Sequence, residues 1–149
     1  MQVLCEHPDQ WELLRQRREL AMRAGEETMR HSPIACGTLR LVVEDAELDG
    51  HLFPAGTAVL VNTFAANRDP AFYDDPDRVD ITREAAPPIL TFGGGVHYCL
   101  GANLARRGIA EALNVLANRL RNPRLAGPAP WKPMVSLSGP TILPIEFDR

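Results

Sequence analysis

One cysteine, Cys99, follows a run of glycines and precedes a predicted helix. The three successive glycines at 93–95 let the backbone turn sharply and approach a flat partner closely. From Leu100 onward apolar residues recur at helical spacing, so Cys99 is expected where a loop becomes a helix. Unpaired backbone N–H groups and the positive end of the helix dipole favour an anionic sulfur at such a position. The stretch 91–101, which we call the cysteine loop, therefore predicts a thiolate presented on a thin loop.

Other interpretations of the cysteine loop fit the residues less well. A nucleophile elbow requires glycine two positions before the nucleophile, and His97 stands there. A phosphate-binding loop requires a lysine after the glycines, and none follows. A zinc site is disfavoured because Cys5, Cys36 and Cys99 are scattered without C-x-x-C spacing. Outside any larger motif, the common role of a lone cysteine is that of a small buried hydrophobe.

The cysteine loop resembles the haem-binding loop of the cytochromes P-450, whose pattern is F-x-x-G-x-[HR]-x-C-x-G. Five residues occupy motif positions without a mismatch: Phe92, Gly95, His97, Cys99 and Gly101. The resemblance implies haem b as the cofactor, with Cys99 as the axial ligand of the iron and His97 at a haem propionate. Phe92, Gly93 and Gly101 are assigned to the same binding site. In this family the cysteine thiolate pushes electron density onto the iron and favours O–O cleavage.

Two further patterns support the resemblance away from the loop. Glu27-Thr28-Met29-Arg30 matches the E-x-x-R of the family's K helix, where the two charged side chains share a helix face. A downstream arginine completes this structural group in the family, and the resemblance assigns Arg78 to it. Arg40 matches the family arginine that pairs with a haem propionate, a contact that a two-pronged guanidinium suits. Considered alone, these residues would be a surface ion pair and a charge on an exposed strand.

The remaining pattern predicts a chain that is mostly helical with small β-sheets. Helices are expected from His7-Pro8-Asp9 onward, over 20–31, and over 102–121. Strands are expected over Leu39–Val43, which reads as buried, and over 57–61. Two short strands about a turn at 138–140 are expected between Trp131 and Phe147. The resemblance places the tip of this hairpin, at 139–142, in the substrate pocket.

The composition is that of an ordinary soluble protein with one domain. The 149 residues are 45% hydrophobic and 23% charged, and a net charge of -3 gives no reason to expect a nucleic-acid partner. No apolar run is long enough to span a bilayer, and the N-terminus lacks a signal-peptide pattern. Three cysteines favour a reducing compartment over a disulfide framework. We therefore expect a cytoplasmic protein that binds neither membranes nor nucleic acid.

The resemblance extends over nearly the whole chain, but only over the C-terminal part of the family's fold. Residues 1–149 are expected to form its haem-binding portion, without the N-terminal part or the distal I helix, because no A-G-x-[DE]-T-like segment occurs. The implied function is that of a monooxygenase, which inserts one oxygen atom from O₂ into a small lipophilic substrate. A ferredoxin with its reductase is the implied electron donor. Arg106 and Arg107 lie on the side that would face this donor, where they either meet it or form a solvated basic face.

No catalytic residue is assigned, because the segment that delivers protons in the family has no counterpart in this sequence. The isolated chain is therefore expected to be inactive, although its family is one of enzymes. Two alternatives stay open. The chain is either a truncated fragment without enzymatic activity, or a haem-thiolate protein that senses ligands or carries electrons.

Overall fold

The computed structural model describes residues 1–84, 88–133 and 137–148. These ranges contain five α-helices, three short 3-10 turns and six strands that pair into three two-stranded sheets. The helices are α1 (Gln2–Glu6), α2 (Pro8–Gln16), α3 (Ala21–His31), α4 (Thr63–Ala66) and α5 (Ala102–Arg119). The strands are β1 (Thr38–Leu41), β2 (Ala46–Leu48), β3 (His51–Phe53), β4 (Ala58–Val61), β5 (Arg121–Leu125) and β6 (Ile145–Asp148). The chain is thus mostly helical with small sheets, as predicted.

Helices α2, α3 and α5 supply the hydrophobic core. Helix α2 begins at Pro8, where the missing N–H of proline costs nothing. Helices α3 and α5 pack closely at Gly25, where an added Cβ would lie 3.0 Å from Cγ2 of Ile109. The buried core residues come from these helices and their neighbours: Leu4, Trp11, Leu14, Leu20, Ala21, Ala24, Ile81, Ala110, Leu113 and Ala117. No helix in the described ranges combines the length and the apolar character needed to cross a membrane.

Strand β1 forms where it was predicted, but the prediction that this segment is buried is wrong. β1 pairs antiparallel with β4, and Arg40 lies opposite Val59. Leu39 and Leu41 are each 66% exposed, and Val43 is 84% exposed. An apolar run without alternation is typical of a strand covered on both faces. In the part of the chain that the structure describes, the β1–β4 pair is too little covered to bury these side chains.

The C-terminal segment differs from the predicted hairpin. Strand β6 pairs with β5, which directly follows α5, rather than with the segment near Trp131. Trp131 instead forms an isolated bridge with Pro140. Part of the predicted hairpin, residues 134–136, lies outside the described residues. Helix α5 ends at Arg119, two residues before the predicted end, because the chain enters β5 at Arg121.

Candidate functional site

The cysteine loop folds back on itself and leaves Cys99 exposed. A 3-10 turn at its start leads into Gly93, whose φ of +73° lies in the left-handed region that glycine adopts without strain. The backbone N–H of Cys99 donates to the carbonyl of Phe92 at 3.0 Å, which joins the two ends of the loop. Gly101 then caps the start of α5, and a Cβ at this position would lie 4.0 Å from Sγ of Cys99. A side chain at 101 would therefore begin in van der Waals contact with the sulfur.

Cys99 lines a cavity of about 420 Å³. The structure brings five of the six predicted cofactor-binding residues to this cavity: Arg40, Phe92, Gly93, His97 and Cys99. Gly101 is not on the wall. Most of the other wall residues are apolar: Met29, Ile34, Ala35, Ala105, Ile109 and Leu137. From the C-terminal segment, Leu137 reaches this cavity, whereas the expected place of residues 139–142 in a substrate pocket stays a prediction.

The chemistry of the wall fits a flat apolar group that carries carboxylates and a thiolate-binding iron. Cys99 offers a soft sulfur ligand. Arg40 is half-buried and donates to Oγ1 of Thr38 at 2.6 Å and to the carbonyl of Leu39 at 3.0 Å. Within the described residues no carboxylate pairs with Arg40. Its guanidinium and the exposed imidazole of His97 are therefore available to anionic groups of a ligand. The donor set thus suits a haem with its propionates.

Behind the cavity, Glu27 and Arg30 form a buried ion pair on α3. Their side chains are 5% and 1% exposed. Both guanidinium nitrogens Nε and Nη2 of Arg30 donate to the carboxylate of Glu27 at 2.8 Å. The carboxylate also accepts from the backbone N–H of Asp80 at 3.0 Å. Arg30 in turn donates to backbone carbonyls of the segment 67–78, so the pair ties α3 to this irregular stretch.

The structure corrects the assignment of Arg78 to the buried charge group. The side chain of Arg78 is 62% exposed and lies 3.5 Å from the carboxylate of Asp80. What Arg78 contributes to the group is its backbone carbonyl, which accepts from Nη2 of Arg30 at 3.1 Å. The second arginine beside Glu27 is Arg83, whose side chain is 14% exposed and whose Nε lies 3.6 Å from the carboxylate. The chain at 78 turns the guanidinium outward, whereas at 83 it turns it inward.

Asn67 is a site residue that the sequence analysis missed. It is fully buried, and its carbonyl accepts from Nη1 of Arg30 at 3.0 Å. Its side-chain amide donates to Oγ1 of Thr91 at 3.0 Å, and its side-chain oxygen accepts from the N–H of Leu90 at 2.8 Å. Thr91 also donates to the carbonyl of Met29 at 3.0 Å. Asn67 therefore connects the buried ion pair to the start of the cysteine loop. The only signal was its place in the polar stretch 66–70.

The described residues contain no cluster of three histidine, cysteine, aspartate or glutamate side chains that could hold a bare metal ion. His7 and His31 come closest to such a group, since their rings meet edge to face with centroids 5.9 Å apart. Nδ1 of His7 is already engaged with the carbonyl of Val3 at 2.8 Å. The candidate chemistry of the chain is thus concentrated around Cys99.

Comparison with known proteins agrees with the geometry of the site. A family model described as Cytochrome P450 matches residues 3–123. Luteothin monooxygenase of Streptomyces thioluteus is 41% identical over 148 residues, which are 99% of this chain and 36% of that protein. Nocardicin C N-oxygenase of Nocardia uniformis subsp. tsuyamanensis is 44% identical over 150 residues, with 97% of this chain and 37% of that protein covered. The chain spans little more than a third of the length of these relatives.

The fold of this chain is also similar to part of a solved structure. P450BioI, in complex with an acyl carrier protein ligated to hexadec-9Z-enoic acid, superimposes with a TM-score of 0.92 at 36% identity. The match covers 98% of this chain and 38% of that one. It confirms the predicted fold class and shows that the helices and small sheets form part of a larger architecture.

Proposed function

The chain belongs to the cytochrome P450 family, and we propose that it provides the haem-binding portion of a haem-thiolate monooxygenase. The proposed reaction inserts one oxygen atom from O₂ into an organic substrate. The observation that carries the proposal is the position of Cys99 on one cavity wall with the cationic Arg40 and with His97. A soft ligand for iron and partners for two carboxylates are there brought together from distant parts of the sequence.

The six residues assigned to haem b have distinct parts in holding it. The thiolate of Cys99 is the ligand of the iron, and Arg40 and His97 bind the propionates. Phe92 and Gly93 form the thin wall against which the ring system packs, and Gly101 keeps the space beside the sulfur free. Haem, when bound, supplies the oxygen chemistry, and the thiolate favours O–O cleavage. The protein's part is to hold the thiolate and to orient the ring.

Substrate, donor and location extend the same proposal. A small lipophilic substrate is the class that the family resemblance implies, and the names of the two bacterial relatives describe oxygenation of organic molecules. Two electrons per turnover come from a ferredoxin-type donor with its reductase. A cytoplasmic location is consistent with three cysteines that all remain unpaired. Neither a membrane nor a nucleic acid belongs to the proposed set of partners.

We further propose that the 149 residues alone do not hydroxylate a substrate efficiently. Controlled oxygen chemistry requires that protons arrive in order and that water is excluded from the reacting face. No described carboxylate lines the cavity, so no acid stands ready to relay protons there. Supplied with haem, a ferredoxin-type donor and a panel of lipophilic substrates, the chain is expected to consume electrons and release mostly peroxide. One product formed per pair of electrons would contradict this.

The decisive test of the proposed ligand is the carbon monoxide difference spectrum of the reduced, haem-loaded protein. Thiolate ligation gives a strongly red-shifted Soret band, which Cys99→Ala is expected to abolish. Cys36→Ala is the matched control, because Cys36 is half-buried and does not line the cavity. Both variants are made in the chain itself and in a chimera in which the chain replaces the matching part of luteothin monooxygenase. The proposal fails if Cys99→Ala keeps the band, or if neither unaltered form binds haem.

A further inference from the structure

We propose that Arg106 is a positioning residue that holds both ends of the cysteine loop against α3 and so sets the orientation of Cys99. The inference rests on the proposed function, because it is the loop that would present the iron ligand. From the sequence, Arg106 and its neighbour Arg107 form one basic pair. In the structure, Arg106 contacts α3 and the cysteine loop, whereas the side chain of Arg107 is exposed.

Arg106 lies on the first turns of α5 and makes three side-chain contacts, one with α3 and two with the cysteine loop. Its Nε donates to Oε1 of Glu26 on α3. Its Nη1 donates to the hydroxyl of Tyr98 at 2.6 Å. Its Cζ lies 4.5 Å from the centroid of the Phe92 ring, which is a cation–π contact. The guanidinium is planar and carries donors in a fixed fork, so one side chain can hold partners in several fixed directions.

The contacts of Arg106 converge on the backbone of Cys99. Phe92 stands near the start of the cysteine loop, and Tyr98 directly precedes Cys99. The N–H of Cys99 donates to the carbonyl of Phe92, so these two ends of the loop are also joined through the cysteine itself. Restraining Phe92 and Tyr98 therefore restrains the residue between them in space. A displacement of either side chain is expected to rotate the sulfur away from the cavity.

Arg106 is anchored to α3 through Glu26, whereas the neighbouring Arg107 has no such anchor among the described residues. The side chains of Arg106 and Glu26 are 18% and 29% exposed, so their ion pair is partly shielded from solvent. One helical turn beyond Arg106, Ile109 packs against Gly25, which leaves little freedom between the two helices. The side chain of Arg107 is exposed and makes no hydrogen bond or ion pair with any described residue. Changing it therefore removes the same charge without touching the loop.

The first test follows amide hydrogen exchange at Tyr98 and Cys99 in the 149-residue chain without haem. Both amides are hydrogen bonded within the loop. In Arg106→Gln, we expect the exchange rate at these two amides to rise about tenfold relative to the amides of α5. The reason is that a charge-assisted hydrogen bond and a cation–π contact are lost. In Arg107→Gln, the change is expected to stay within about twofold, since no contact is lost.

A second variant keeps the proposal testable if Arg106→Gln does not fold. Tyr98→Phe removes one hydroxyl from a half-exposed side chain and leaves the ring and every charge in place. We expect exchange at Cys99 to rise about threefold in this variant, the effect of one lost hydrogen bond. The inference would be overturned if the exchange rates at Tyr98 and Cys99 were the same in Arg107→Gln, Arg106→Gln and Tyr98→Phe. A uniform rise over α3, α5 and the loop would overturn it as well, because it would indicate loss of global stability.

The haem-loaded protein provides a readout that a merely structural role would not move. If Arg106 orients the thiolate, Arg106→Gln shifts the reduction potential and increases the share of the carbon monoxide complex without the red-shifted band. Arg107→Gln leaves both unchanged. An unaltered chain without a thiolate band refutes the proposed function, while the exchange comparison still decides whether Arg106 holds the loop. Identical potentials and spectra in the two variants refute the positioning role alone.

Discussion

Removing the carboxylate of Glu27 is expected to destabilise the chain strongly, because a buried arginine then loses its counter-charge. Glu27 and Arg30 are 5% and 1% exposed, and two hydrogen bonds of 2.8 Å join them. The same carboxylate accepts from the backbone N–H of Asp80 at 3.0 Å. In Glu27→Ala, both groups are left in the interior without this acceptor.

The contacts set the size of the effect. Removing one partner of a buried ion pair costs about 3–5 kcal/mol, and a buried donor left without an acceptor costs about 1–3 kcal/mol. Arg30 still donates to backbone carbonyls of Asn67, Pro76 and Arg78, so the lower ends of these ranges apply. The sum is about 4 kcal/mol, a large part of the roughly 5–15 kcal/mol by which ordinary domains are stable.

Urea denaturation followed by circular dichroism measures this loss. Glu12→Ala is the matched control, because it removes an i,i+3 ion pair whose side chains are 22% and 46% exposed. Solvent screens such a pair, so the midpoint of this control is expected to stay near that of the unaltered chain. Glu27→Gln, which keeps the shape of the side chain and one acceptor oxygen, should fall between the two. A midpoint of Glu27→Ala equal to that of Glu12→Ala would refute the reasoning.

Three further outcomes are expected. Asn67→Ala leaves the N–H of Leu90 without its acceptor and should lower the free energy of unfolding by about 1–3 kcal/mol in urea denaturation; an unchanged midpoint would contradict the link that Asn67 provides. Gly108→Ala should raise the free energy of unfolding by about 0.5–1 kcal/mol, because an added Cβ meets no atom within 4 Å in a helix interior, whereas Gly25→Ala crowds α5 and should lower the free energy of unfolding. Burial and two neighbouring arginines lower the pKa of His31 below its ordinary 6.5, so the unfolded chain binds this proton more readily and stability should fall as the pH drops below 6.5. Thermal unfolding at several pH values should show that His31→Gln removes this part of the pH dependence, and an unchanged dependence would contradict the assignment.

The cysteine loop could be predicted from sequence because its chemistry is local. Phe92, Gly93, His97 and Cys99 lie within eight residues, and turns and helix starts are decided by near neighbours. All four residues line the same cavity. Arg40 could be placed there only through a resemblance to known proteins, since no short-range rule relates it to Cys99. Their roles toward haem stay predictions until the ligand is tested.

Two of the residues that were misassigned or missed, Arg78 and Asn67, act at least partly through backbone atoms, which a pattern of side chains does not reveal. Arg78 stands at the expected position, but it contributes a carbonyl and turns its guanidinium outward. Arg83 takes the place beside Glu27, five residues further along. Asn67 accepts and donates through its backbone and its amide together, which no residue type alone indicates. The resemblance predicted that a charge group exists around Glu27 and Arg30, whereas its membership depended on the path of the chain.

Exposure was the least predictable property, because it depends on what covers a segment and not on the segment itself. Of the run 39–43, the residues 39–41 lie in strand β1, and the predicted strand over 42–43 does not form. Leu39 and Leu41 nevertheless stay 66% exposed. The predicted partner of β6 was wrong for a similar reason. β6 pairs with β5 rather than with the segment near Trp131, and this pairing depends on the position of α5. Long-range partners were decided by packing that the local sequence does not encode.

Helix α3 joins stability and site in one element. Glu26 accepts a hydrogen bond from Arg106, which contacts the cysteine loop. The next residue, Glu27, forms the buried ion pair with Arg30. Successive helical residues point about 100° apart, so one rigid helix reaches both sides of the loop. The carbonyl of Met29 then accepts from Thr91 at the start of the loop. Because the buried pair fixes α3 and α3 fixes the loop, a substitution that loosens the pair also moves the thiolate. Loss of stability and loss of the thiolate geometry should therefore appear together in the ion-pair variants, and separately in the Arg106 variants.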